Sequence, residues 1–149
     1  MAKHHFHLTA QWSGGRNGEG TISAGNLQTK ISIPTPMDGP GTGTNPDEML
    51  IGAAATCYLI TLAAMVERGQ MAVLDLSLQT EGVVDVTNGK FTFEQIIHRP
   101  TVVLDPQASE RERKRIERVV YLAEERCMIS NAMRGNVELV VVPTYVLGK

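Results

Sequence analysis

The longest apolar stretch of the chain lies at residues 49–66, "MLIGAAATCYLITLAAMV", and contains no charged side chain. It follows Asn45-Pro46, where asparagine is a favoured N-cap and proline fits the first helical position. Glu48 stands at the third helical position and would complete a capping box, and Gly69 is a natural stop. The pattern predicts a helix over residues 45–69 that is apolar on all sides. Such a helix is typical of the buried centre of a protein or dimer. Its many small residues and its marginal length make a membrane-spanning role the weaker interpretation.

Alternating apolar and polar positions predict strands on both sides of this helix. Residues 4–12 alternate loosely and lead into the glycine-rich turn "SGGRNGEG". Residues 21–33 are typical of a hairpin with Gly25-Asn26 at its turn, and residues 73–104 of a longer hairpin with Asn88-Gly89 at its turn. The chain closes with "NVELVVVPTYVL", where a proline indicates a strand end or an edge strand.

A second helix is predicted over residues 108–126, because Ile116, Val119, Val120 and Ala123 form one stripe at helical spacing. Cys127 extends that stripe by one turn, and a further short helical piece is expected to end at Gly135. The charges on the second helix are nearly balanced, which is typical of a solvated face with pairs such as Glu110 and Lys114. The element order is then β-β-β-α-β-β-α-β, an α+β fold with antiparallel sheets wrapping a buried helix.

Composition narrows the function classes without naming one. The 149 residues predict a single domain over positions 1–149, and 42% hydrophobic with 20% charged residues is an ordinary globular balance. A formal charge of −2 gives no reason to expect a nucleic acid or an anionic membrane as partner. No apolar signal core opens the chain and only two cysteines occur, so a reducing cytoplasm is the expected compartment.

Both cysteines, Cys57 and Cys127, are expected on core-facing surfaces of the two main helices. They could simply pack as small apolar residues, or form a structural disulfide. They could also be a reactive pair, in which one thiolate is oxidised to a sulfenic acid and the other thiol captures it as a disulfide. Burial in an apolar site raises the pKa of a thiol, so a reactive Cys57 would need a nearby cation. Cys57 lies about three turns into its helix, beyond the N-terminal field, and Arg16 in the glycine-rich turn is the best candidate cation.

Three motifs of the chain resemble those of the OsmC/Ohr family of thiol peroxidases. "GTNPDEMLIGAAATCY" is similar to the family's central-helix motif, and "AEERCMISNAM" to its second motif, an acidic helix end followed by Cys-Pro-x-Ser. "GGRNG" resembles the turn that carries the functional arginine in the Ohr branch. The resemblance runs from about residue 8 to residue 147.

The resemblance implies an intertwined α+β homodimer with two long central helices packed inside. It implies reduction of organic hydroperoxides, and of hydrogen peroxide as a further candidate, without metal or bound cofactor. Cys57 would be the attacking thiol and Cys127 the resolving one, and Arg16 would hold the thiolate and the peroxide with help from a carboxylate. An external dithiol would recycle the enzyme, in the Ohr branch a lipoylated protein.

Two positions depart from the family pattern. The residue directly after Asn-Pro, usually a glutamate that orients the arginine, is Asp47, so either Asp47 or Glu48 would take that role. Met128 replaces the proline that often follows the resolving cysteine, which leaves open how sharply the chain breaks there. Asp47 and Cys57 are ten residues apart, about 15 Å along a straight helix, so the site is expected to be composite across a dimer interface or around a bent helix.

Other interpretations have less support in the sequence. "GPGTGTNPDE" lacks the Gly-Lys-Ser/Thr ending of a nucleotide-binding loop, and "HHFH" lacks the thiolate or carboxylate partners of a metal site. His98 is expected to be a packed strand residue, and no motif places a histidine beside a cysteine for a hydrolase. The main competitor is a noncatalytic dimer that binds a small hydrophobic molecule or senses oxidation. A peroxide pocket, if present, would be lined by residues such as Met49, Leu50, Ile51 or Tyr58.

Overall fold

The computed structural model describes all residues from Met1 to Lys149 as two compact units, Met1–Met49 and Leu50–Lys149. The boundary falls inside the long helix, after its first turn. The expectation of one domain over residues 1–149 stays a prediction. Each unit has its own hydrogen-bonded sheet.

The first unit is a three-stranded antiparallel sheet. Its strands are β1 (Thr9–Ser13), β2 (Glu19–Ala24) and β3 (Leu27–Ile31), in that order across the sheet. The predicted Gly25-Asn26 turn is confirmed: it joins β2 to β3, with Gly25 at φ 58°, a left-handed conformation that glycine adopts without strain. The first strand begins at Thr9, later than predicted, so the histidines of "HHFH" precede it. A single 3₁₀ turn follows β3 at Thr35–Met37.

The central helix, α1, spans Pro46–Arg68 without interruption, as predicted. Asn45 caps it: its side-chain oxygen accepts the backbone N–H of Glu48 at 2.9 Å. The second half of the predicted capping box is wrong, because the Glu48 carboxylate instead accepts the hydroxyl of Thr44 at 3.0 Å. The hydroxyl of the threonine one residue before the cap is thus the donor to Glu48 in place of the cap's own backbone N–H.

The second unit contains a four-stranded sheet built on a long hairpin. Strands β4 (Val73–Thr87) and β5 (Lys90–Leu104) pair antiparallel and turn at Asn88-Gly89, where both residues have positive φ. This is the geometry of a type I′ turn, which the Asn-Gly dipeptide favours. The hairpin prediction is therefore confirmed, including its turn residues.

The C-terminal segment differs from the single strand that was expected. It forms two short strands, β6 (Glu138–Val141) and β7 (Thr144–Leu147), and both run parallel to β5. The break falls at Pro143, which has no N–H to donate to a sheet. The expectation of purely antiparallel sheets is wrong here, because β5 pairs antiparallel with β4 on one edge and parallel with β6 and β7 on the other.

Two further helices cover one face of this sheet. Helix α2 spans Glu110–Arg126 and begins with a capping box between Ser109 and Glu112, and α3 spans Met128–Met133. The predicted apolar stripe of α2 is fully buried together with Cys127. It packs into one core with residues from α1 and β5, namely Tyr58, Leu62, Val102 and Leu104. The fold is α+β, as predicted.

Helix α1 exposes much of its surface in the single chain. It is long and apolar enough to cross a membrane by length and composition, with a mean hydropathy of 2.0 over 18 residues. Its buried residues are Ala54, Tyr58 and Leu62, which all point into the second unit. An apolar face of this helix is therefore left uncovered by its own chain.

Candidate active site

Cys127 marks a sharp break between two helices. Its backbone is extended, with ψ at 118°, and it ends α2 and caps the N-terminus of α3. The cap is the thiol itself: the Ser130 N–H donates to the Cys127 sulfur at 3.4 Å. The chain therefore breaks here without the proline that the family pattern has at position 128.

Cys57 projects from the middle of α1 toward this break. It is half-buried and packs against the apolar core of the second unit, while Cys127 is completely buried. The two thiols are unbridged, and each perturbs the pKa of the other. The structure thus brings together the two cysteines, which are 70 positions apart in the sequence.

The surroundings of Cys57 favour its thiolate. Burial raises the pKa of the Cys57 thiol, but four hydrogen-bond donors outweigh it and leave the pKa below its usual value. The donors are the Cys127 thiol, the backbone N–H groups of Ile129 and Met128, and the Thr61 hydroxyl. An apolar position with several donors aimed at one sulfur is the setting expected for a reactive cysteine.

The pKa of the Cys127 thiol is shifted in the opposite direction. Burial raises the pKa of its thiol, hydrogen bonds from Ser130 oppose this, and the neighbouring Cys57 sulfur raises the pKa further, so the net direction is upward. The pKa values of the two coupled thiols are therefore shifted in opposite directions, downward at Cys57 and upward at Cys127. Cys57 is thus the more acidic thiol of the two.

The expectation that a reactive Cys57 needs a nearby cation, with Arg16 as the best candidate, stays a prediction, and the neighbours of Cys57 add donors that it did not include. The field of α1 is out of reach of Cys57, but the first two backbone N–H groups of α3, those of Met128 and Ile129, lower the pKa of the Cys57 thiol. One of them belongs to Met128, whose place in the family pattern is often taken by proline. A proline could not donate this bond, so the departure at position 128 supplies a donor.

Tyr58 anchors α1 beside Cys57. It is fully buried, and its hydroxyl donates to the Val120 carbonyl at 2.8 Å, tying α1 to α2. Its ring stacks on His98 at a centroid distance of 4.8 Å. Tyr58 is thus a core residue, and its predicted place in a pocket lining is wrong. His98 is a packed strand residue, as predicted, with no exposed surface.

An ion pair holds the chain on either side of Cys127. Glu124, near the end of α2, is buried, and its carboxylate accepts Arg134 Nη2 at 2.8 Å. Arg134 also donates to the Glu124 carbonyl at 3.2 Å and to Asn131 at 3.1 Å. The guanidinium therefore bridges from the end of α2 to the end of α3. Because charge-assisted bonds of this kind are strong, the clamp fixes the angle of the break.

Arg16 lies in the first unit, in the glycine-rich turn after β1. Its guanidinium donates to the carbonyls of Met37 at 2.7 Å and Asp38 at 3.0 Å, and to Asn17 at 3.0 Å. Asp38 has a positive φ of 59°, which turns these neighbouring carbonyls to the same side. Sequence reasoning found the arginine but missed its carbonyl holders, because no residue pattern marks a pair of backbone oxygens.

Asp47 and Glu48 lie in the first turn of α1. Glu48 accepts from Thr44, and neither carboxylate forms an ion pair with Arg16 within the chain. Arg16 is held by peptide oxygens instead, which orient it and leave part of its donor set unused. The carboxylate partner of Arg16 stays a prediction.

Known proteins resemble this chain over most of its length. A model of the family described as OsmC-like protein matches residues 39–142, and so crosses both units. YmaD of Bacillus subtilis, an uncharacterized protein, is 57% identical over 99% of both chains. An organic hydroperoxide resistance protein of Xanthomonas axonopodis pv. citri is 26% identical, with 89% of each chain covered.

Solved structures share the fold. The crystal structure of an organic hydroperoxide resistance protein OsmC from Legionella pneumophila matches with a TM-score of 0.74 and 25% identity, over 95% of this chain and 99% of that one. The two cysteine motifs, the break at Cys127 and the family match all agree. The chain therefore belongs to the OsmC-like protein family.

Proposed function

We propose that this protein is a thiol-dependent peroxidase that reduces organic hydroperoxides. The observation that carries the proposal is the unbridged pair of cysteines, in which Cys127 and three further donors converge on the Cys57 sulfur. The half-buried, apolar position of Cys57 favours an apolar hydroperoxide over water. Relatives named organic hydroperoxide resistance proteins support the same substrate class.

The chemistry follows from the protonation of the pair. The Cys57 thiolate attacks the distal peroxide oxygen, the O–O bond breaks, and the alkoxide takes a proton to leave as an alcohol. Cys57 is then a sulfenic acid. The Cys127 sulfur attacks it, a disulfide forms, and the hydroxyl leaves as water with the Cys127 proton. An external dithiol returns the disulfide to two thiols and is itself oxidised.

Arg16 is proposed to hold the thiolate and the peroxide. Three of its possible hydrogen bonds are used within the first unit, and the rest of the guanidinium can accept an anion. Asp47 or Glu48 is proposed to orient it, by a contact that forms in the assembled site. These roles rest on the family resemblance and on the fixed, exposed position of the guanidinium.

The active form is proposed to be a homodimer in which α1 packs against a second copy of itself. Support comes from the uncovered face of α1, where Ala53, Thr56, Ile60 and Ala63 are all exposed. Their spacing of three, four and three residues is that of a helix–helix seam. Ile60 keeps 68% of its surface exposed in the single chain, a large value for an apolar side chain in the middle of a helix.

A charge in this seam should separate the subunits. We expect Ile60→Asp to shift the protein from dimer to monomer in light scattering at micromolar concentration, since two buried carboxylates would face each other. The turnover of peroxide should be lost with the dimer. The matched control is Val86→Asp, which places the same charge on an exposed apolar residue of β4. A fully active Ile60→Asp monomer would show that the site is complete in one chain.

The peroxidase proposal itself is tested by counting thiols. Reduced protein mixed with one equivalent of cumene hydroperoxide should lose both thiols rapidly, and Cys57→Ser should lose none at that rate. Hydrogen peroxide in the same assay grades the substrate preference. Slow thiol loss that is the same in Cys57→Ser would overturn the proposal.

Slow thiol loss that does not depend on Cys57 would favour a noncatalytic protein that binds small hydrophobic molecules. The observation in its favour is an apolar groove of about 550 Å³ in the second unit, lined by side chains that include Leu59, Val66, Met71 and Leu76. The peroxidase is preferred because burial alone explains a packed cysteine but not the convergence of donors on it. A reducing cytoplasm is the proposed compartment and a dithiol, such as a lipoylated protein, the proposed reductant.

A further inference from the structure

Ser130 carries a side-chain oxygen beside the cysteine pair that has no oxygen or nitrogen partner. The residue is completely buried, and its Oγ makes no hydrogen bond to such an atom. A buried hydroxyl without such a partner has lost its hydration and is poorly compensated for it, which destabilises the folded state. The Ser130 hydroxyl is therefore expected to make a stronger hydrogen bond in another state of the protein, such as another redox state of the cysteine pair.

The usual partners of a serine at this helical position are already taken. At the third position of a helix the side chain commonly turns back to the N–H of the cap, but the Cys127 N–H donates to the Glu124 carbonyl at 3.2 Å. The Cys127 carbonyl, in turn, accepts the Asn131 N–H at 3.0 Å. The Ser130 N–H donates to the Cys127 sulfur at 3.4 Å, and the hydroxyl of the same residue lowers the pKa of that thiol.

The exposure of the two sulfurs decides which one a reductant can reach. Cys57 is half-buried, whereas Cys127 has no exposed surface. An external thiolate would therefore attack the Cys57 sulfur of a disulfide, because thiol–disulfide exchange needs access to the attacked atom. Cys127 would then be the leaving group.

We infer that Ser130 is a positioning residue for Cys127, and that its hydroxyl donates to the Cys127 thiolate released when an external dithiol attacks Cys57. This inference rests on the proposed function in one respect: only a peroxidase cycle would form the Cys57–Cys127 disulfide repeatedly. In the step itself, a new S–S bond forms between the reductant and Cys57. The Cys57–Cys127 bond breaks, and its electron pair leaves on Cys127. The second thiol of the reductant then displaces Cys57, and both cysteines end reduced.

Ser130→Ala should weaken Cys127 as a leaving group without weakening the fold. One hydrogen bond to a charged sulfur corresponds to about one pKa unit, or tenfold. In a Cys57→Ser background, titration of the thiolate absorbance at 240 nm should give a Cys127 pKa about one unit higher when Ser130→Ala is added than when Ser130 is retained. In the two-cysteine protein, a disulfide made with diamide should be reduced several-fold more slowly by dithiothreitol, because only part of the leaving-group pKa change is expressed in the exchange rate.

The control readouts separate this role from packing. Ser130→Ala removes a buried hydroxyl that has no oxygen or nitrogen partner, so the melting temperature should stay the same or rise. Ser77→Ala, at a serine of β4, should change neither the Cys127 pKa nor the reduction rate. An unchanged Cys127 pKa in Ser130→Ala, or a reduction rate within twofold of the native protein, would overturn the inference. Neither measurement uses a peroxide, so both remain decisive if the peroxidase proposal fails.

Discussion

Replacing Cys127 by serine or by alanine is expected to stop peroxide turnover after one oxidation per chain. Without the second sulfur, the Cys57 sulfenic acid has no neighbour with which to form a disulfide. The steady-state rate with cumene hydroperoxide and a dithiol should fall by about a hundredfold or more, a loss of roughly 3 kcal/mol in the rate-limiting barrier. The first oxidation should still occur, since Cys57 is retained.

The two replacements differ in what they leave beside Cys57. Serine keeps an O–H that can donate to the Cys57 sulfur, whereas alanine removes that donor altogether. The Cys127 thiol is among the groups that hold the Cys57 pKa below its usual value. We therefore expect a higher Cys57 pKa in Cys127→Ala than in Cys127→Ser, by about one unit. The pH dependence of iodoacetamide alkylation measures it.

The oxidation state of Cys57 in the two Cys127 variants gives an independent check of the resolving role. In both variants dimedone should label Cys57 after one equivalent of hydroperoxide, with the adduct located by mass spectrometry. Excess peroxide should drive the same residue on to the sulfinic acid, an oxidation that the native disulfide prevents. Native-like turnover in both variants, with no dimedone adduct, would show that Cys127 does not resolve Cys57.

The fold was predictable where one local pattern decided an element. Asn45-Pro46 and Gly69 bounded α1, and the glycines of the two hairpin turns placed β2 to β5. The C-terminal strands were not predictable in the same way. Their parallel pairing with β5 depends on partners about forty residues away, and the local sequence shows only that Pro143 interrupts them.

The candidate site, like the fold, was predictable only where a local sequence pattern marks its residues. Cys57 and Cys127 were identified because two cysteine motifs stand at characteristic positions in the sequence. Two features around them were missed: the backbone N–H groups of α3 that lower the Cys57 pKa, and the ion pair between Glu124 and Arg134 that spans the helix break. Every residue except proline has a backbone N–H, so no residue type in the sequence marks a backbone donor. An ion pair across a helix break becomes visible only once the break is known, and Met128 made that break hard to predict.

The donors that lower the Cys57 pKa also bear on how much such a site depends on its arginine. A short helix that aims its N–H groups at a thiolate supplies part of the stabilisation that a cation would otherwise provide. The N–H of Met128 adds one donor that a proline would lack. The role proposed for Arg16 can then lie more in binding the peroxide oxygens than in lowering the thiol pKa.

Acid is expected to destabilise the fold through His98, a residue that takes no part in the proposed chemistry. His98 is completely buried, stacked on Tyr58, with Nδ1 at 2.9 Å from the Thr80 hydroxyl and Nε2 without a partner. Burial lowers its pKa from the ordinary 6.5 to about 4, because no buried group compensates an imidazolium charge. The unfolded chain therefore binds a proton that the folded chain does not.

The sign and size of the effect follow from linkage. Between pH 6.5 and pH 4 the unfolded state holds more protons, so the stabilisation is complete above pH 6.5 and is lost as the pH falls toward 4. The full difference is about 3 kcal/mol, of which about 2 kcal/mol should appear between about pH 7 and about pH 4.5.

Urea unfolding at a fixed protein concentration should show this loss in the native protein and not in His98→Asn, which keeps a polar group near Thr80 but cannot titrate. His7→Asn, at an exposed histidine, is the matched control and should keep the native pH dependence. Equal pH dependence in His98→Asn and the native protein would mean that His98 accepts its proton in the folded state, and that the stack on Tyr58 tolerates a charge beside the reactive cysteine.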